Sequence, residues 1–143
     1  MNPKVASFVA ALEIYDPTDD DSPIGTLYPL VEPIEEEESA SEAFSAIFAF
    51  FERYPDADLG SPGPLVHLLE RHIGKYEDLL AASLKRKPSV TTVTMAHRIL
   101  NAHRGEEERT KLMALLADAS ENPASSDYVR SQAQHYHEYQ SRG

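Results

Sequence analysis

Apolar residues recur along this chain at helical spacing, and the strong breakers mostly fall between the runs. Asn2 can cap a first helix with Pro3 at its first position, and Val5, Phe8, Val9, Leu12 and Tyr15 then form one stripe before Asp16-Pro17 ends it. The run DPTDDDSPIGT reads as a loop, because it is rich in residues that initiate turns. Between residues 24 and 34, Ile24, Leu27, Tyr28, Val31 and Ile34 keep helical spacing, while Pro29 and Pro33 remove donors and restrict the residues before them. The expectation there is a short helix beginning near Pro29, or two kinked turns.

The next segment is clearer. Ser39 and Glu42 have the S-x-x-E spacing of a capping box, and Ala40, Ala43, Phe44, Ile47, Phe48 and Phe51 mark an i, i+3, i+4 face that Phe50 and Tyr54 widen. This predicts a central helix ending at Tyr54-Pro55. Another is expected from Ser61 or Pro62, burying Leu65, Leu68, Leu69, His72 and Ile73. Gly74 supplies a cap or a break before a helix with Tyr76, Leu79, Leu80, Ser83 and Leu84 on one side, which Lys85, Arg86, Lys87 and Pro88 close. Ser89 opens VTTVTMAHRILNAH, whose β-branched residues suggest a strand, but Val90, Val93, Ala96, Ile99 and Leu100 favour a helix.

Glu106 to Glu108 suit the first turn of a further helix with Leu112, Leu115, Leu116 and Ala119 inside. After Asn122-Pro123, Ser125 or Ser126 can cap a last helix that turns Val129, Gln132, Ala133 and Tyr136 inward. The fold class predicted is all-α. About seven short helices with short connections would form antiparallel pairs, in a HEAT/armadillo-like right-handed α-solenoid or an irregular helical bundle. Residues 1–143 fit one helical domain.

Charge divides that domain. From Met1 to Asp58 there are fourteen acidic residues against Lys4 and Arg53, a balance of −12, whereas residues 59–143 carry ten acidic and eleven basic residues. The acidic part (1–58) therefore holds all of the chain's net charge of −11, and the rest (59–143) is near neutral. Such a field repels nucleic acid and anionic membrane and attracts a basic protein. The absence of cysteine excludes disulfides and thiolate chemistry and is compatible with a cytoplasmic location. The N-terminal apolar run is short and contains Glu13, so it reads as mature protein rather than a signal or a span.

The candidate chemistry is sparse. His135 and His137 are two apart, His67 and His72 five apart, and His97 and His103 six apart, none of which is a helical metal-ligand spacing. No metal site, cofactor or catalytic residue is expected. The loop GSPGP lacks the lysine and spacing of a P-loop, and DPTDDDSPIGTL does not supply calcium ligands in EF-hand register. The Lys85-Arg86-Lys87 cluster reads as a solvated helix end rather than a phosphate contact.

What remains is the acidity itself. One or two acids suffice to stabilise a helix start, and Glu35, Glu36, Glu37 and Glu38, with Asp16, Asp19, Asp20, Asp21 and Glu32, exceed that need. They serve either solubility or a docking face for a basic partner. A docking face needs an apolar anchor among its charges, and Tyr28 and Leu30 are the candidates.

The stretches SPGPLVHLLERHIGKYEDLLAASLKRKPSVTTVTMAHRILNAH and KLMALLADASENPASSDYVRSQAQHYHEYQ alternate helix pairs and breakers in a way that resembles the HEAT-like immunity proteins of bacterial polymorphic toxin systems. The resemblance implies a non-catalytic, stoichiometric inhibitor that occludes a cognate toxin protein, often a nuclease with a basic groove. A helical-repeat adaptor that binds a peptide or a partner subunit is the alternative.

Overall fold

The structure is a computed structural model that describes residues 1–60 and 62–142. Among these residues there are eight α-helices, three short 3-10 turns and no strand, so the all-α expectation holds with one helix more than the expected seven. Helix α1 spans Pro3–Ile14, and the Asn2 side chain accepts the Lys4 N–H at 2.8 Å, the cap expected from its sequence. Val5, Phe8 and Leu12 are buried along one side of it.

Helix α2 spans Pro23–Val31 and begins six residues before Pro29, where the sequence suggested its start. Pro23 occupies the first turn, where a missing N–H costs nothing. Pro29 removes the donor that would reach Gly25, a residue with no side chain to crowd the turn, and the helix continues through it for two residues. A 3-10 turn, Glu32–Ile34, follows directly.

Helix α3 (Phe44–Arg53) is central, with Phe44, Ile47, Phe48, Phe50 and Phe51 buried. Its start corrects the capping box expected at Ser39 and Glu42: Glu38–Ala43 already form a 3-10 turn, and no side chain caps α3. The Phe44 N–H bonds the Ser41 carbonyl, so the preceding turn supplies the acceptors that a cap would have provided.

Helix α4 is Gly63–Glu70; the alternative start at Ser61 lies outside the described residues. Leu65, Leu68 and Leu69 are buried as expected, but α4 ends before His72 and Ile73. His72 packs its ring edgewise on Phe44 at 5.4 Å, and Ile73 is 67% exposed. The chain turns at Gly74, whose φ of +95° suits glycine and whose N–H bonds the Glu77 carboxylate at 2.8 Å. Helix α5 (Glu77–Arg86) starts there.

Helix α6 (Val90–Asn101) opens with a capping box in which Ser89 and Thr92 exchange side-chain and backbone bonds. That local trap favours helix over strand for the β-branched run. Helices α7 (Glu106–Ser120) and α8 (Asp127–Ser141) complete the chain, and Ser126 caps the latter by accepting the Val129 N–H. Contacts run from α1 to α3, α3 to α5 and α5 to α7, and from α2 to α4 and α6 to α8, and sequence neighbours also pack, α7 against α8 most extensively. One hydrophobic cluster extends through these contacts from Val5 to Ala133.

Candidate functional site

The acidic residues singled out in the sequence divide into those the fold uses and those it leaves on the surface. Asp20 belongs to the first group. Its carboxylate accepts the Tyr15 hydroxyl at 2.7 Å, the Ser22 N–H at 2.9 Å and the Thr26 hydroxyl, which ties the end of α1 to the beginning of α2. The Thr26 bond, with those from Ser22 and Tyr15, holds the Asp20 carboxyl below its ordinary value. Burial, helped by the Asp20 bond, pushes the Tyr15 hydroxyl up to about 12.

The run Glu35 to Glu38 is less idle than its sequence implies. Glu37 lies 3.3 Å from Lys4 Nζ and accepts a bond from Asn2, and so fastens this segment to the start of α1. Arg71, just past the end of α4, stands 3.8 Å from Glu35 and 4.0 Å from Glu36. Glu36 and Glu38 project into solvent, as do Asp19, Asp21 and Glu32. Asp19, Asp21, Glu32 and Glu38 make no side-chain hydrogen bond or ion pair among the described residues.

Helix α2 arranges part of this second group around apolar side chains. Successive residues turn by about 100°, so positions 24 and 28 follow one ridge, continued by Glu32 just past the helix, while 27 and 31 follow another. Leu27 and Val31 are fully buried on the core side. Ile24 and Tyr28 on the other ridge are 38% and 48% exposed, between Asp21 at one end and Glu32 at the other. The sequence pattern pooled both ridges into one stripe, which hid Ile24 as a surface residue; the four-residue spacing of Ile24, Tyr28 and Glu32 was the available signal. Leu30, the other expected anchor, is half-buried and packs on the core.

Two further features bear on this corner. Ile14, in the last turn of α1 beside Tyr15, is 87% exposed. An open cleft lies at the start of α2, lined by Pro17, Asp21 and Ile24 and closed on its far side by Ala57 and Asp58 of the α3–α4 loop. Apolar floor and acidic rim together suit a basic residue with a long apolar stem.

The histidines form no comparable centre. Among the described residues no group of three His, Asp or Glu side chains is placed to hold a metal ion. His97 stacks on Tyr136 with ring centroids 4.3 Å apart, and burial together with nearby His135 and Arg98 lowers its pKa. Within the basic cluster, Arg86 is bound to Glu52 through two bonds of 2.7 and 2.8 Å. Among the described residues no helix is long and apolar enough to cross a membrane. No protein-family model, curated protein or solved structure matches this chain.

Proposed function

We propose that this chain is a non-catalytic binding protein, an immunity protein that neutralises a cognate bacterial toxin by covering a basic surface of its toxin domain. The ridge of α2 carries this reading, because it sets exposed Ile24 and Tyr28 between carboxylates that the fold itself does not pair. A buried aromatic anchor inside a charged rim is the usual energetic pattern of a protein interface. The surrounding charges speed encounter and select the sign of the partner more than they add affinity.

The succession of contacts α1–α3–α5–α7, beside α2–α4 and α6–α8, supports the finer reading of the fold as a HEAT-like solenoid of helix pairs. In that arrangement α2 stands at one end of its row, with its outer ridge unpartnered. The acidic excess of residues 1–58 is concentrated at the same end of the chain.

The test is co-expression and purified binding with the toxin domain encoded beside this gene. Wild-type protein should protect cells and associate at a rate that falls as salt rises above about 0.15 M, where the Debye length is about 8 Å. Tyr28→Ala should speed dissociation by about thirtyfold or more, the size expected of a hot-spot residue. Glu32→Lys should slow association. A wild-type protein that neither binds nor protects against that neighbour, or variants that leave both rates unchanged, would sink the proposal.

A further inference from the structure

A second hollow lies between the α3–α4 loop, the first turns of α6 and one side of α8, with a volume of about 140 Å³. Ala57 and Asp58 wall both this hollow and the cleft beside Ile24, so the two adjoin. Small-molecule sites generally enclose about 300 to 1,000 Å³, whereas a cavity of about 150 Å³ accommodates one benzene-sized group. The space therefore suits a single planar side-chain head rather than a metabolite.

Its walls are specific about which head. Asp56 and Asp58 line it together with Tyr128 and Tyr136. Each carboxylate already has one oxygen engaged: Asp56 accepts the Ser126 hydroxyl at 2.6 Å and Asp58 the Gly60 N–H at 3.1 Å. The second oxygen of each makes no hydrogen bond among the described residues. Tyr136 is held rigid, its ring stacked on His97 and its hydroxyl 3.2 Å from that of Thr94. Tyr128 is 53% exposed at the mouth. Aromatic faces attract a guanidinium by stacking and by cation–π interaction, and its fork of donors matches carboxylate oxygens.

We infer that this hollow takes the guanidinium of one arginine from a protein partner, stacked against Tyr128 and Tyr136 and hydrogen-bonded to Asp56 and Asp58. The inference rests on the same basic-partner reading and extends the contact surface from α2 across the loop to α8. Lysine fits less well, since its compact ammonium neither stacks nor forks.

The probe is a blocked Gly-Gly-Arg-Gly-Gly peptide titrated into isotopically labelled full-length protein, beside the same peptide with neutral, isosteric citrulline. Saturable amide shifts are expected at Ala57, Tyr128 and Gln132, with the arginine peptide binding about tenfold more tightly. Tyr128→Ala and Asp58→Asn, both changes at exposed positions, should abolish the saturable shifts while leaving the circular dichroism spectrum unchanged. Equal binding of the citrulline peptide, or saturable shifts that survive both substitutions, would overturn the inference. Shifts that saturate around Tyr28 and Glu32 alone would overturn it while leaving the α2 interface standing. Saturation at Tyr128 and Gln132, in a protein that fails to bind the neighbouring toxin, would keep the arginine site and remove the immunity reading.

Discussion

From α4 onward several arginines are clasped. Arg98 holds Glu70 through two bonds of 2.8 and 2.9 Å, Arg104 holds Glu77 at 2.7 Å and the Tyr76 hydroxyl at 3.2 Å, and Arg109 bonds the Gln140 carbonyl at 2.7 Å. Before α4 acidic groups far outnumber basic ones, and Asp19, Asp21, Glu32 and Glu38 are exposed and lack an ion pair among the described residues. The difference follows from supply. Fourteen anions and two cations cannot neutralise each other within residues 1–58, so neutralisation comes from further along the chain, where Arg71 and Arg86 reach back to Glu35, Glu36 and Glu52. The clasped arginines of the second region fasten helices together, whereas the first region keeps an excess of carboxylates over its own cations.

The largest expected effect probes the helix that both regions share. Helix α3 contacts α1 on one side and α5 on the other, and Phe48 is buried within it against Phe51 at a centroid distance of 5.6 Å. Phe48→Ala should cost about 3 to 5 kcal/mol through lost burial and the cavity left behind. Chemical denaturation should show one cooperative transition moved to lower denaturant. Two separate transitions, with α1 and α2 melting first, would mean that the regions hold independently and differ in more than surface charge.

A smaller effect is expected from opening a clasp. Arg104→Ala leaves Glu77 and the Tyr76 hydroxyl without their shared donor, and both groups are largely shielded from water. The loss should be about 1 to 3 kcal/mol, since the partner groups remain desolvated. Glu38→Gln, at an unpaired carboxylate, should stay within about 0.5 kcal/mol. Equal losses for the two variants in thermal melts would dissolve the contrast between the regions.

The helices were largely legible because their apolar periodicity is strong and their ends carry local chemistry, as at Asn2, Ser89 and Gly74. The misjudged boundaries have a common cause: tertiary or turn structure replaced the local signal. A 3-10 turn that buries Ala40 and Ala43 runs straight into α3 and makes the Ser39 cap unnecessary. Past Glu70 the chain tightens into turns, with the His72 N–H on the Leu69 carbonyl and the Gly74 N–H on Glu77, so the α4 pattern ends before Ile73. At the candidate site, Tyr28 was legible from its place among the acids. The hollow at Asp58, Tyr128 and Tyr136 was not, because it joins residues about seventy positions apart through packing that no local pattern encodes.

Acidity of the medium should distinguish the regions next, with a still smaller effect. Gln140 Nε2 lies 3.0 Å from His97 Nδ1 and Asn101 Nδ2 lies 3.3 Å from Nε2, so both neighbours present N–H groups to the ring. A neutral imidazole can accept from one of them, and a doubly protonated one from neither. Burial, with nearby His135 and Arg98, lowers the folded-state pKa of His97. The unfolded chain then binds the proton first as pH falls, so stability is full above about pH 6.5 and declines towards the lower folded value. His97→Gln should flatten that decline in melts across this window. An unchanged slope would remove His97 as its source and leave the attachment of α8 insensitive to acid.

The finest contrast lies inside the glutamate run, between adjacent residues with different duties. Glu37→Lys loses the Lys4 and Asn2 contacts and places two cations together at the start of α1, at a cost of up to about 1 kcal/mol for so exposed a pair. Glu38→Lys breaks no such contact and should leave the melting temperature nearly unchanged, while the added positive charge slows association with a basic partner at low salt. Thermal melts should therefore separate the two variants while stopped-flow association slows for both, if the run is part structural and part surface. Equal melting temperatures for the two variants would mean that the four carboxylates act as one undivided patch, and that the pairing of Glu37 adds nothing to the fold beyond its charge.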